Sequence, residues 1–272
     1  MRSWHATWSS EGRHPLAPTE ARRLALVRAI GRIAGKRVAL FCIVDDHVHL
    51  VLFCEERELG RLVQALTFAF RPLAAVPLAA AFVRRVRDRG HMEWLADEYI
   101  LKQAPRHGLP VAPATWSGSC FPDLVGARVV PGLRLCIGDA LPRWRLRNGY
   151  RAVGLPEVEL EPASDATVRA FGASRLAAAA ASATCALPTL AGKGAPEVLA
   201  RRAATVLGER VGVPVSELAF AFGMTPIATA RLRSRHVADD LLKATRVRVS
   251  LELAAAAVPL VAREPPPPEY EA

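Results

Sequence analysis

The chain of 272 residues is long enough for two small domains or one larger one, and its 51% hydrophobic content can form a buried core. Its five cysteines are scattered and include no Cys-x-x-Cys pair, which argues against a disulfide framework or a zinc ribbon. The net charge of +10 favours a polyanionic partner such as nucleic acid, although the Arg-rich, Ala-rich composition of a GC-rich genome gives the same excess.

Nothing in the sequence predicts a membrane segment. The first residues, Met1 to His5, contain no apolar signal-peptide core, and the apolar run over 176–186 is too short for a convincing span. We therefore expect a cytoplasmic protein with no membrane partner.

Strands and helices alternate in the first part of the chain. A strand is predicted over 4–9, a helix capped by Thr19 and stopped by Gly35, and a hairpin of strands 37–44 and 47–53. Further elements are predicted in chain order as a helix over 56–70, a strand over 82–89, and a helix over 94–103 ended by Pro105 and Gly108. This order predicts an α+β domain at about 1–130, a ferredoxin-like antiparallel sheet with helices on one face.

The second part of the chain predicts helices only. Residues 131–195 show a weak pattern and are interpreted as a linker or irregular extension, and 196–262 as a helical region. Helices at 215–222 and from Thr225 onward flank a Gly-containing turn, which predicts a DNA-binding helix-turn-helix or a plain three-helix unit with a basic exterior. The Pro-rich tail over 263–272 is predicted to be disordered.

The strongest chemical pattern is Asp46-His47-Val48-His49. Side chains alternate along a strand, so His47 and His49 are expected on the same face, where two imidazoles can clamp a metal ion. Ordinary surface histidines give the same spacing.

A second pattern lies on the helix predicted over 94–103. Tyr99 and Gln103 are four residues apart and so share a helix face. The carbonyl oxygen of Gln103 can serve as a third ligand beside the histidines, which leaves coordination positions open and suits Mg²⁺ or Mn²⁺. The alternative for Tyr99 is a half-buried structural tyrosine.

Together these motifs resemble the single-tyrosine HUH transposases, of the insertion-sequence and REP-associated kinds. The resemblance covers about residues 4–126, and it rests on His47-Val48-His49-Leu50, Tyr99-Ile100-Leu101-Lys102-Gln103, Gly108-Leu109 and Thr115-Trp116-Ser117-Gly118-Ser119. The chain departs from the family pattern at Asp45-Asp46, where the family has Pro-Asn, and at Ala104-Pro105, where the Pro is shifted by one place.

The resemblance implies a DNA transposition and recombination activity. A metal at His47, His49 and Gln103 would polarise a phosphate of single-stranded, hairpin-containing DNA, and Tyr99 would attack it to form a 5′-phosphotyrosine. The resemblance also leaves a homodimer as one option.

Basic residues are the candidate DNA contacts. Arg84, Arg85 and Arg87 lie on the strand predicted over 82–89, which could instead be a charged edge strand. Arg231 and Arg233 lie on the last helix of the helix-turn-helix candidate.

Three other functions remain open. The chain could be a domesticated, non-catalytic DNA-binding protein that uses the helix-turn-helix. It could be a replication initiator or relaxase with the same site, although these have longer chains or further domains. It could also be an unrelated enzyme that binds metal through the His-x-His pair and makes no use of Tyr99.

Overall fold

The computed structural model describes residues 1–108 and 112–258. The predicted tail at 263–272 and Leu109 of the Gly-Leu motif lie outside the described residues. The chain forms two compact units: the first contains 1–121, 132–158 and the described residues from 255 on, and the second contains 122–131 and 159–254.

The first unit is built on a four-stranded antiparallel sheet. Its strands are β1 (Arg2–Ser9), β2 (Val38–Ile43), β3 (His47–Cys54) and β4 (Phe82–Arg85), in the order β2-β3-β1-β4. The residues of β2 are all buried, and it pairs with β3 around the Asp45–Asp46 turn, as the sequence predicts.

Helices cover both faces of this sheet. Helix α1 (Glu20–Ile33) precedes β2, and helix α2 (Glu56–Phe70) precedes β4. The indole of Trp8 on β1 donates a 2.8 Å hydrogen bond to Thr67 of α2. A second layer consists of α3 (Arg89–Trp94), a π-helical segment (Leu95–Ile100) and α4 (Gln103–Arg106), and it lies on the face that carries His5 and His49. The structure is therefore α+β as expected, but the expectation of helices on one face alone was wrong.

Two predictions in this second layer need correction. Strand β4 ends at Arg85, because Asp88 accepts a 2.8 Å hydrogen bond from the amide of His91 and so begins α3; Arg87 and Arg89 do not continue the strand. The helix predicted over 94–103 is broken by a turn at Leu101–Lys102, and Pro105 lies inside α4. Proline is tolerated there because the first amides of a helix have no intrahelical partner.

The first unit is completed by the segments that follow. Backbone hydrogen bonds from Ile43 to Gly118 (2.9 Å) and from Cys136 to Val38 (2.7 Å) cover the outer edge of β2. Short helices α6 (Ile137–Ala140) and α7 (Leu146–Ala152) belong to this unit, whereas α5 (Phe121–Leu124) lies where the chain passes into the second unit. The carboxylate of Asp97 in the π-helical segment accepts hydrogen bonds from Trp144 (2.8 Å) and Asn148 (3.1 Å), which fixes this segment against the start of α7.

The second unit is helical around an alanine-rich core. Its helices are α8 (Asp165–Phe171), α9 (Ala173–Ala183), α10 (Ala195–Arg210), α11 (Val215–Phe222), α12 (Pro226–Ala230) and α13 (Asp239–Ala257). Small side chains of α9 such as Ala180, buried beside Leu207 and Leu218, allow the helices to pack closely. Among the described helices, none combines the length and apolar character that a membrane span requires.

The expectations for this part of the chain are only partly met. Residues 131–195, interpreted as a linker, contain α6 to α9 and are divided between the two units. Helix α12 begins where Thr225 caps it but ends at Ala230, because the next residues form tighter turns, such as the one closed by Leu232 and Thr229. Arg231 and Arg233 therefore follow the helix on which they were predicted.

Candidate active site

One face of the sheet carries a group of polar side chains on two adjacent strands. In the register of β1 and β3, Thr7 lies opposite His49 and Ser9 lies opposite His47, so both histidines share a face with Thr7 and His5. The ring centroids of His47 and His49 are 4.4 Å apart. His47 and His49 thus lie side by side on one face of the sheet, as strand alternation predicts.

The π-helical segment and α4 bring Tyr99 and Gln103 to the same place. The ring of Tyr99 lies 5.1 Å from that of His49 and 5.8 Å from that of His5, edge to face in both cases. The side chain of Gln103 is 2% exposed, and its amide nitrogen donates to the carbonyl oxygen of Tyr99 at 3.1 Å. The four residues that the sequence predicts for metal binding and catalysis therefore lie together.

Two further side chains flank Tyr99. The ring of Trp94 stacks on it at 4.7 Å with an interplanar angle of 26°, and the guanidinium of Arg106 lies 5.1 Å from its centre. Trp94 is 42% exposed, so part of its ring faces solvent. The site thus combines an exposed aromatic surface with a positive charge beside the tyrosine.

Burial keeps the two central histidines neutral. Burial, followed by the charges of His47 and His5, lowers the pKa of His49 well below its usual 6.5, and the side-chain interaction with Gln103 opposes this only in part. Burial and the nearby Arg84 lower the pKa of His5 to about 3. A neutral imidazole is the form that binds metal.

Neighbouring polar atoms contact the Nδ1 atoms of both candidate histidine ligands. The Nδ1 atom of His49 is 3.1 Å from Nε2 of His5 and 3.3 Å from the hydroxyl of Thr7, whereas its buried Nε2 finds no hydrogen-bond partner among the described residues. Nδ1 of His47 is 2.7 Å from a carboxylate oxygen of Asp46. Both rings are thus anchored through Nδ1, which leaves Nε2 as the ligand atom.

A second group of possible ligands adjoins the first. One ligand atom each from Asp46, His47 and His107 lie within 4.8 Å of one another. His107 is four residues after Gln103 and eight after Tyr99, and its ring lies 4.8 Å from that of His47. A metal ion could therefore be held by this group, which shares His47 with the predicted one.

The predicted basic residues are not all near this site. Arg84 lies opposite His5 in the β1–β4 register, and its charge helps to lower the pKa of His5. Arg85 pairs with Trp4 and so belongs to the other face, while Arg87 follows the strand. Arg231 and Arg233 belong to the second unit, where Arg233 forms a 3.2 Å ion pair with Glu209.

The sequence interpretation missed His5, His107 and Trp94. The helical spacing from Tyr99 and Gln103 could have indicated His107, whereas His5 joins the site only through the pairing of β1 with β3. No family model matches the chain, and neither a curated protein nor a solved structure matches it.

Proposed function

We propose that the protein is a metal-dependent, single-tyrosine strand transferase that cleaves and rejoins single-stranded DNA. The observation that carries the proposal is the juxtaposition of Tyr99 with His49, 5.1 Å away between ring centres, and of His49 with His47, 4.4 Å away. The buried Nε2 atom of His49 has no hydrogen-bond partner among the described residues. Buried polar atoms usually have a partner, so this nitrogen favours a metal ligand over a purely structural role for the site.

His47, His49 and Gln103 would hold the divalent cation, for which Mg²⁺ or Mn²⁺ is our choice. When bound, the cation supplies Lewis-acid polarisation of a phosphate oxygen. Oxygen ligands such as Gln103, or Asp46 of the adjoining group, favour these hard cations over a closed structural zinc site.

Tyr99 is the nucleophile of the proposed reaction. Its hydroxyl oxygen bonds to the phosphorus, the bond between phosphorus and the 3′ oxygen breaks, and the tyrosine proton is lost while the 3′ oxygen gains one. The products are a 5′-phosphotyrosine and a free 3′-hydroxyl. Another 3′-hydroxyl can reverse the step and join a new strand, so no external energy source is needed.

Single-stranded DNA suits the surroundings of Tyr99. The exposed part of the Trp94 ring offers a surface on which a base can stack, and Arg106 and Arg84 can neutralise phosphates. The net charge of +10 favours the same polyanion. We also propose that the protein acts in the cytoplasm.

The second unit is the candidate for binding the duplex part of a hairpin. Helices α11 and α12 flank a turn in which Gly223 has a φ of +62°, a conformation that glycine adopts readily. This helix-turn-helix interpretation also underlies the alternative of a non-catalytic DNA-binding protein, and the two functions differ in whether DNA is cut.

The test is a cleavage assay with the full chain, Mn²⁺ and 3′-labelled single-stranded DNA from the flanks of its own gene. We expect a covalent protein–DNA adduct on a denaturing gel that disappears with EDTA and in Tyr99→Phe. Tyr150→Phe is the matched control, since Tyr150 is a buried tyrosine whose ring packs on Phe121. DNA binding without any adduct would instead support the non-catalytic function.

A further inference from the structure

His5 is a buried histidine for which the proposed reaction has no role as a ligand. It is 4% exposed, and its ring lies nearly parallel to that of His49, with centroids 5.2 Å apart and an interplanar angle of 30°. The two rings face each other through Nε2 of His5 and Nδ1 of His49, which are 3.1 Å apart. At this distance one nitrogen donates a proton and the other accepts it.

Two arrangements of that proton are conceivable, and they differ at the other end of the His49 ring. If His5 donates, the neutral His49 carries its own proton on Nε2, and that buried N–H forms no well-aligned hydrogen bond with the described residues, although it interacts with the side chain of Gln103. If His49 donates, its Nε2 is a bare lone pair. An unsatisfied buried N–H costs the free energy of a lost hydrogen bond, whereas a bare nitrogen is the form that coordinates a cation.

The neighbouring ligand His47 shows the same arrangement with a different partner. Its Nδ1 lies 2.7 Å from a carboxylate oxygen of Asp46, and an ionised carboxylate can only accept a hydrogen bond. The hydrogen on Nδ1 of His47 is therefore the one that the carboxylate accepts, and Nε2 is the nitrogen left to coordinate a cation. His47 and His49 would then have the same tautomer, each with an acceptor at its Nδ1 atom.

From this geometry we infer that His5 is a positioning residue, which holds the proton of His49 on Nδ1 and so presents the bare Nε2 of His49 to the divalent cation. The inference rests on the proposed function, because that function makes His49 a ligand of a divalent cation. The hydroxyl of Thr7, 3.3 Å from the same Nδ1 and on the same strand as His5, can act as a second acceptor when Nδ1 carries the proton. His5 acts on the metal through His49 and is not itself a ligand.

The first test needs no variant. The protein is labelled with ¹⁵N-histidine, freed of metal with EDTA, and its histidine tautomers are measured by long-range ¹H–¹⁵N NMR, with His49→Gln to assign the His49 signals. We expect His49 to carry its proton on Nδ1. A proton on Nε2 would overturn the inference, whether or not the protein binds metal.

The second test compares His5→Leu with His5→Gln, because Gln places an acceptor near the position of Nε2 whereas Leu does not. We expect His5→Leu to move the His49 proton to Nε2 and to weaken Mn²⁺ binding by about 10- to 100-fold. His5→Gln should restore most of the affinity, and His236→Gln, at an exposed histidine of the second unit, should leave it unchanged.

The two proposals fail in different ways. Unchanged Mn²⁺ affinity and tautomer in a folded His5→Leu variant would refute the role of His5 while leaving the metal site intact. If the unsubstituted chain does not bind Mn²⁺ but has the Nδ1–H tautomer of His49, the proposed function loses its metal and the assignment of the proton by His5 stands.

Discussion

The pH dependence of stability is the sharpest consequence of the buried histidines. The pKa of His5 is about 3 in the folded chain, chiefly because of burial, and about 6.5 when the chain is unfolded. As the pH falls below 6.5, the unfolded chain takes up a proton that the folded chain does not accept until near pH 3. Stability is therefore lost over the window from pH 6.5 to 3, and at about 1.36 kcal/mol per pH unit the loss from His5 is about 1.4 kcal/mol between pH 7.5 and 5.5 and about 2.7 kcal/mol by pH 4.5.

The variant His5→Leu isolates this effect because leucine cannot titrate. All five tryptophans lie in the first unit, so urea unfolding followed by tryptophan fluorescence in EDTA reports on the unit that contains His5. The difference in unfolding free energy between the unsubstituted chain and His5→Leu should shift by about 1.4 kcal/mol, against the unsubstituted chain, from pH 7.5 to 5.5. A difference that does not change with pH would refute the claim that His5 is buried in its neutral form.

Three further substitutions test the site and its support. Asp46→Ala should weaken Mn²⁺ binding, measured by calorimetry, by about 10- to 100-fold, whereas Asp46→Asn keeps an acceptor oxygen and should have little effect. Trp94→Leu should weaken binding of single-stranded DNA by about 5- to 150-fold in fluorescence anisotropy, and Phe68→Leu, at another exposed aromatic residue, should not; equal effects would contradict base stacking at Trp94. Gly118→Ala should cost about 1–3 kcal/mol in urea unfolding, because its new Cβ would lie 2.2 Å from the carbonyl oxygen of Ile43; an unchanged midpoint would contradict this close approach.

Local periodicity accounts for the part of the site that could be predicted. The two-residue period of a strand is fixed by backbone geometry, so His47 and His49 had to share a face once β3 was recognised. Tyr99 and Gln103 were placed together by the period of a continuous helix, which the structure does not contain. They still lie together because the side chain of Gln103 donates back to the carbonyl oxygen of Tyr99 across the turn.

The missing parts of the site depend on contacts that no local pattern encodes. His5 meets His49 only because β1 pairs with β3 in a particular register, although the two histidines are 44 positions apart in sequence. Local patterns also do not indicate which face of the sheet the π-helical segment with Tyr99 packs on. Asp97 of that segment accepts a hydrogen bond from Trp144, which lies in the part of the chain interpreted from the sequence as a linker. The prediction of a strand up to Arg89 is wrong because Asp88 caps a helix that begins at Arg89.

The most direct test of the central claim is the identity of the residue that becomes attached to DNA. The adduct formed with Mn²⁺ and single-stranded DNA would be digested with nuclease and protease, and the modified peptide sequenced by mass spectrometry. We predict a nucleotide joined through its 5′ phosphate to Tyr99 and to no other residue. Attachment at Tyr150 or at another residue, or no adduct from a chain that binds both Mn²⁺ and DNA, would contradict the assignment of Tyr99 as the nucleophile.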